Sequence, residues 1–287
     1  GFWDDGDGDD DDAVDDDDAA DDDDDEPQLG PGGSMGIWYW EMPPPSGDGV
    51  MTGAGFIANF WEDISPGTPG RRVNGPFPWD GPDGPDTCAV NVWDAADMET
   101  VGGTPGVSEE RDAGIITLEA PDWSVDIDPW PTTKQQSQYY FELNPDYTVH
   151  FDTYYQVTVE GADFPGFDSV TDLLVPAALH LVAPLPSEQF AVGSTDFAIE
   201  WTGGSADEIW IELHHGNARE FGNASIQCIA VNDGSFSIPA ELTQYLPTTE
   251  LLNLTLGQPR NVTVTVGDVE VDVGSSASTQ ANGMRSP

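Results

Sequence analysis

Phe197-Ala198-Ile199-Glu200-Trp201 and Ile209-Trp210-Ile211-Glu212-Leu213 decide the fold class of this chain. In each run apolar residues recur at every second position, the period of a strand with one buried face. Phe197, Ile199 and Trp201 form one inward-facing set; Ile209, Ile211 and Leu213 form the other. Glu200 and Glu212 fall on the opposite faces. Gly203-Gly204 turns the chain between the runs, so the two are expected to pair as neighbours over one core. Trp201 and Trp210 are read as filling gaps in that core.

The same pattern extends in both directions. Upstream, strand-like segments occupy 88–93, 114–119, 124–127, 139–143, 154–160, 169–174 and 178–182. Downstream lie 224–231, 235–238, 253–256, 261–266 and 268–273, with one helical turn expected over 239–245. Asn232-Asp233-Gly234 between two such segments is a hairpin signal. No segment carries a convincing helix of more than two turns. Short strands with frequent turns point to an all-β protein built from antiparallel sandwiches. Two units are expected, 46–175 and 176–273, with a flexible tail over 274–287. Ile37-Trp38-Tyr39-Trp40 is too aromatic for a free linker and is expected as an edge strand or a partner contact.

Residues 1–45 read as a tether and linker. The first 26 residues hold 17 of the 54 acidic residues, and poly-Asp cannot bury apolar surface, so this stretch is expected to be disordered. Asp5, Asp7 and Asp9 alternate as in calcium loops. Position six of that frame is Asp10 rather than Gly and no bidentate Glu follows, so only loose Ca2+ association is expected, with no cofactor.

The remaining 37 acids and 7 bases leave −30 of the total charge of −47, and Lys134 is the sole lysine. Such a balance excludes a nucleic-acid partner, because phosphates demand Lys and Arg. It suits a surface kept hydrated in high salt. No apolar run approaches the roughly 20 residues a membrane-spanning helix needs. The turn-rich composition looks exported. In that setting Cys88 and Cys228 read naturally as one disulfide, with two separate buried thiols as the alternative.

Catalytic signals are weak. There is no Gly-x-Ser-x-Gly, and adjacent His214 and His215 point to opposite faces of a strand. With 54 acids, some carboxylate pair is bound to be close, so proximity says little about glycoside hydrolysis. The ten tryptophans say more. Trp38, Trp40, Trp61, Trp79 and Trp130 lie in the first half, many beside Asp, Gly or Pro, where an exposed ring and a neighbouring acid can stack on and hydrogen-bond a sugar.

Several segments resemble secreted surface proteins and lipoproteins of myxobacteria and related bacteria. They are Val182-Ala183-Pro184, Ser194–Trp201, Ile209–Leu213, Ile226-Gln227-Cys228 and Asp233–Ala240, with Asp86–Val90, Asp112–Ile116 and Gly161–Phe167 in the first half. Pro184–Leu213 is also similar to the immunoglobulin-like domain of fungal cell-wall glycan-assembly proteins. These resemblances imply an immunoglobulin-like second unit, an extracellular or outer-surface location and no catalytic residues; an acidic stretch such as 1–26 is what lies between a lipid-modified Cys and the first domain in many bacterial lipoproteins, so a lipid anchor is the accompanying hypothesis. The functional expectation is therefore a non-enzymatic structural or interaction protein. A glycan-binding or adhesive module is the alternative, and an extracellular hydrolase the third. The expected partner is a surface polysaccharide or another surface protein.

Overall fold

The computed structural model describes residues 32–44, 49–61, 82–92, 111–129, 139–144, 146–215, 224–248 and 251–286, and for residues 92 and 168–172 the backbone only. In chain order the strands are β1 (Gly32–Met42), β2 (Met51–Trp61), β3 (Thr87–Val92), β4 (Ile116–Glu119), β5 (Ser124–Ile127), β6 (Tyr139–Glu142), β7 (Thr153–Val159) and β8 (Phe167–Val175). They continue with β9 (Leu179–Ala183), β10 (Phe190–Val192), β11 (Phe197–Gly203), β12 (Glu208–His215), β13 (Ala224–Val231), β14 (Ser235–Ile238), β15 (Leu251–Val266) and β16 (Val269–Arg285). One short helix, α1 (Ala240–Thr243), follows Pro239.

The strands form one large sheet and two small ones. The large sheet runs β3-β13-β12-β15-β16-β1-β2-β6, with β10 beside the end of β16. The small sheets are β14-β11-β9 and β5-β4-β7-β8. Pairing is antiparallel throughout except that β1 and β10 run parallel to β16.

Side-chain alternation shows how the layers stack. Val269, Val271 and Val273 of β16 belong to one core, with Met35, Ile37, Phe56 and Phe60 from the large sheet and Ile116, Leu118, Val157 and Val159 from the four-stranded sheet. Ala281 of the same strand belongs to a second core, with Ile209, Ile211, Leu213 and Leu254 facing Leu179, Ile199 and Trp201 of the three-stranded sheet. All four β16 residues are odd-numbered and β15–β16 pair without a register break. They therefore share one face. Both small sheets cover that face, side by side, and the result is an all-β fold of two sandwiches sharing one sheet.

The expected division at 175/176 is corrected by this arrangement. The β15–β16 hairpin, turned at Gly267-Asp268 with Gly267 at φ 64°, runs through both cores. Strand β3, from the expected first unit, pairs with β13 of the second. Ser275 donates a hydrogen bond to the Leu174 carbonyl at the junction. Gln258, fully buried there, accepts from the Ser205 and Ala206 amides at 2.8 and 3.0 Å and donates to the Ala177 carbonyl at 2.8 Å.

Other expectations are corrected as well. The stretch from 274, read as a flexible tail, is an inner strand as far as Arg285. Its Ser, Ala and Gly residues are small because large side chains fill the space beside them: Phe190 lies over Gly283, where an added Cβ would fall 2.1 Å from its ring. Residues 32–42, read as linker, are β1. Its aromatic run is not an edge strand but lies between β16 and β2.

Strands β11 and β12 do not pair. They face each other across the second core, because Gly203 and Gly204, at φ 81° and 79°, carry the chain from one sheet to the other. Asn232-Asp233-Gly234 likewise joins β13 to β14 in a different sheet rather than closing a hairpin.

Candidate functional site

A shallow depression of about 560 Å³ opens on the outer face of the four-stranded sheet, lined by Glu119, Asp122, Trp123, Ser124, Tyr154 and Gln156 among others. That volume falls in the usual range for small-ligand sites, about 300–1,000 Å³. Strand alternation builds it. Ile116 and Leu118 of β4 and Tyr155, Val157 and Val159 of β7 point into the core, so Glu119, Tyr154 and Gln156 point out. Ser124, Glu119 and Gln156 stand in register across β5, β4 and β7.

The turn between β4 and β5 supplies Asp122 and Trp123. The Trp123 indole N–H donates to the Thr148 carbonyl at 2.9 Å. Its ring meets Tyr147 edge-on at 5.3 Å and Tyr155 at 5.8 Å, so the ring is held in place. Asp122 Oδ1 lies 2.6 Å from His150 Nε2, and the Tyr155 hydroxyl accepts from the His150 amide at 2.7 Å. Burial, with Asp122 nearby as a lesser cause, raises the Tyr155 hydroxyl above its ordinary range, so it stays protonated at neutral pH. Tyr154 is 56% exposed. The depression thus joins the exposed Tyr154 ring, and Trp123 half-buried against the first core at its rim, to carboxylates, an amide and a hydroxyl, with no Lys or Arg among the described lining residues.

The sequence numbers Trp123 among its tryptophans but does not assign it to the site. The signal was present: the alternation of β7 places Tyr154 and Gln156 on one face, and Pro121-Asp122-Trp123 marks the turn beside them.

Of the tryptophans expected to contact glycan, Trp38, Trp40 and Trp61 lie elsewhere, half-buried on the outer face of the large sheet. Each stands directly opposite a glycine: Trp38 over Gly55, Trp40 over Gly53 and Trp61 over Gly32. Trp210 repeats the pattern over Gly257. It is therefore not a core filler, since β12 turns Ile209, Ile211 and Leu213 inward and Trp210 outward. Trp201 is in the core at 2% exposure, its indole N–H donating to Asn232 Oδ1 at 2.8 Å. Trp79, Trp130 and the tether residues Asp5, Asp7 and Asp9 lie outside the described residues.

Cys88 and Cys228 stand opposite each other on β3 and β13 and are joined by a disulfide, S–S 2.01 Å. Among the described residues no three His, Cys, Asp or Glu side chains cluster to hold a metal ion, and no helix is long and apolar enough to cross a membrane. The buried Tyr139 hydroxyl accepts from the Ala113 amide and donates to the Gly114 carbonyl or Asp112, and burial pushes its pKa up to about 12. It is a structural clamp beneath the Asp112–Gly114 turn.

No known protein family matches the chain, and no curated protein matches it. Among solved structures it is similar to the yeast delta-COP-I mu-homology domain complexed with a Dsl1 WxWxV peptide, at 11% identity and a TM-score of 0.26, covering 88% of this chain and 97% of that one. The same yeast domain without the peptide gives 11% identity, a TM-score of 0.22 and the same coverage.

Proposed function

We propose that this is an exported, non-enzymatic interaction protein that recognises carbohydrate in the depression on the four-stranded sheet. The observation that carries the reading is the meeting there of Trp123 and Tyr154 with Glu119, Asp122 and Gln156. Aromatic rings pack against the C–H faces of a sugar, while carboxylate and amide oxygens accept from its hydroxyls. Among the described lining residues the only charged side chains, Glu119 and Asp122, are acidic, which disfavours anionic ligands. The Cys88–Cys228 disulfide supports an oxidising compartment outside the cytosol. The 17 acidic residues among the first 26 suit a protein displayed from a cell surface.

Incubating the full chain with a panel of soluble neutral polysaccharides tests both parts of the reading. Retardation of the protein without release of new reducing ends supports it. Release of reducing ends would instead assign Glu119 and Asp122 to a hydrolase.

A further inference from the structure

Strand β15 outruns its neighbour β12. The two pair from Leu252 opposite His215 to Gly257 opposite Trp210, whereas β16 stays beside β15 as far as Val266. Residues 259–266 therefore form an edge of the large sheet, and among the described residues no strand lies beside it. The edge is open to solvent. Pro259, Arg260, Asn261, Thr263 and Thr265 are exposed, and Val262, Val264 and Val266 are half-buried. At about 3.4 Å per residue it is roughly 24 Å long, and its pairing with β16 has no register break.

The turn sets which backbone groups face outward. Gly267-Asp268 is a two-residue hairpin loop, so Val266 and Val269 form the hydrogen-bonded pair that closes it. Pairs alternate from there: Val264 and Val262 bond to β16, and Thr265, Thr263 and Asn261 turn N–H and C=O outward. Pro259 falls on the same outward phase, where its missing N–H costs no ladder bond. Native edges are blunted by proline, charged side chains or bulges. Here Pro259 and Arg260 guard one end, and 261–266 carries none of these devices.

The side chains beside the edge have a definite character. Val264 and Val266 pack on the first core, and Val262 shares their face. Thr263 and Thr265 point the other way, beside Asp272 and Glu270 of β16, and Thr263 Oγ1 donates to Asp272 Oδ1 at 2.9 Å. Exposed Asp268 lies at the hairpin tip, and exposed Asp207 and Glu208 lie where β12 leaves β15. Arg260 is the one basic residue of β15. A second copy of the chain, at a formal charge of −47, would bring like charge to this edge.

We infer that the edge takes an added strand: an extended segment of another protein, antiparallel to β15, in which apolar and basic residues alternate. Its backbone completes the hydrogen bonds of Asn261, Thr263 and Thr265. Its apolar side chains extend the row of Val262, Val264 and Val266, and its basic side chains reach towards Glu270 and Asp272. Main-chain bonds supply the docking and charge selects the partner. This surface is independent of the carbohydrate reading of the depression.

The test measures fluorescence anisotropy of a labelled seven-residue peptide of alternating lysine and valine with the full chain. In antiparallel register the lysines stand opposite Thr265, Thr263, Asn261 and Pro259, so their amides face β15 and the valine amides face away. Two further peptides carry N-methyl groups on the lysine amides or on the valine amides. Both keep the charge of the first, so attraction to the acidic residues alone treats all three alike. The unmodified and valine-methylated peptides should bind, and the lysine-methylated peptide should bind at least about tenfold more weakly, the scale of lost hydrogen bonds. Thr263→Pro, which removes an outward N–H, should weaken the unmodified peptide about tenfold, and Thr263→Ala should not. Melting temperatures accompany both variants, and where Thr263→Pro melts well below the parent the peptide pair decides. Equal binding of all three peptides, binding of none, or a preference for the lysine-methylated one overturns the inference. So does a full chain that sediments as a dimer and becomes monomeric with Thr263→Pro, since the occupant is then a second copy.

Discussion

Trp40 of β1 lies over Gly53 of β2: a Cβ at residue 53 would fall 2.3 Å from the indole Cζ2 atom. The two residues are directly opposed in the antiparallel register. The glycine is there for space, since its backbone is not in the left-handed region. Gly53→Ala should therefore destabilise by about 1–3 kcal/mol, as overpacking does. Gly193, with nothing within 4 Å of its Cβ position, is the control. Gly193→Ala should stay within about 0.5 kcal/mol. Denaturant midpoints compare the two, and equal effects would show that the indole moves aside freely.

The junction of the two cores depends on Gln258, whose amide makes three hydrogen bonds to backbone groups at residues 177, 205 and 206. Gln258→Leu keeps the bulk and strands all three. Each stranded buried group costs about 1–3 kcal/mol, so this single change should be among the most destabilising in the chain. A Gln258→Leu protein with the parent's urea midpoint would mean that the junction is wet.

The Cys88–Cys228 bond fastens β3, at one edge of the large sheet, across a sequence separation of 140 residues. The chain-entropy model gives a loop of this length up to about 5 kcal/mol, and real bridges often give less. Reductant should lower the melting temperature and raise amide exchange in β3 and β13 before the rest. Two free thiols in freshly purified protein would contradict the bond.

Glu212 makes a pH prediction with a definite sign. Burial raises its pKa above the ordinary 4.5, with the His214 charge and the Gln227 hydrogen bond acting the other way. A carboxyl raised on folding favours the folded state most when protonated. That contribution is complete below the unfolded pKa and is lost as pH rises through the raised folded value. Glu212→Gln should therefore be more stable than the parent at neutral pH, and the gain should fade on acidification below 4.5. Melting curves across that range decide, and a neutral-pH loss in Glu212→Gln would show that the charge is well solvated.

Much of the fold was legible because alternation is local. Phe197, Ile199, Trp201, Ile209, Ile211 and Leu213 all face one core, as their spacing indicates. Their pairing was not legible, since a Gly-Gly turn between strands can either close a hairpin or cross between sheets, and only the second core decides. The strand of small residues, Gly274–Gly283, lacks the β-branched and aromatic signature because its neighbours Tyr39 and Phe190 supply the bulk. The depression was half-visible: Tyr154 and Gln156 alternate outward, but their approach to Asp122 and Trp123 depends on the β4–β7 pairing.

The central claim is carbohydrate recognition at Tyr154, Trp123 and Glu119, and one measurement addresses it most directly. Affinity electrophoresis of the parent, Tyr154→Ala and Glu119→Gln over a panel of neutral polysaccharides should retard the parent with at least one of them. Each variant should bind that polysaccharide about tenfold more weakly, the scale of one or two lost contacts, with melting temperatures close to the parent's. A parent chain that migrates alike with and without every polysaccharide, or variants retarded as strongly as the parent, would contradict it.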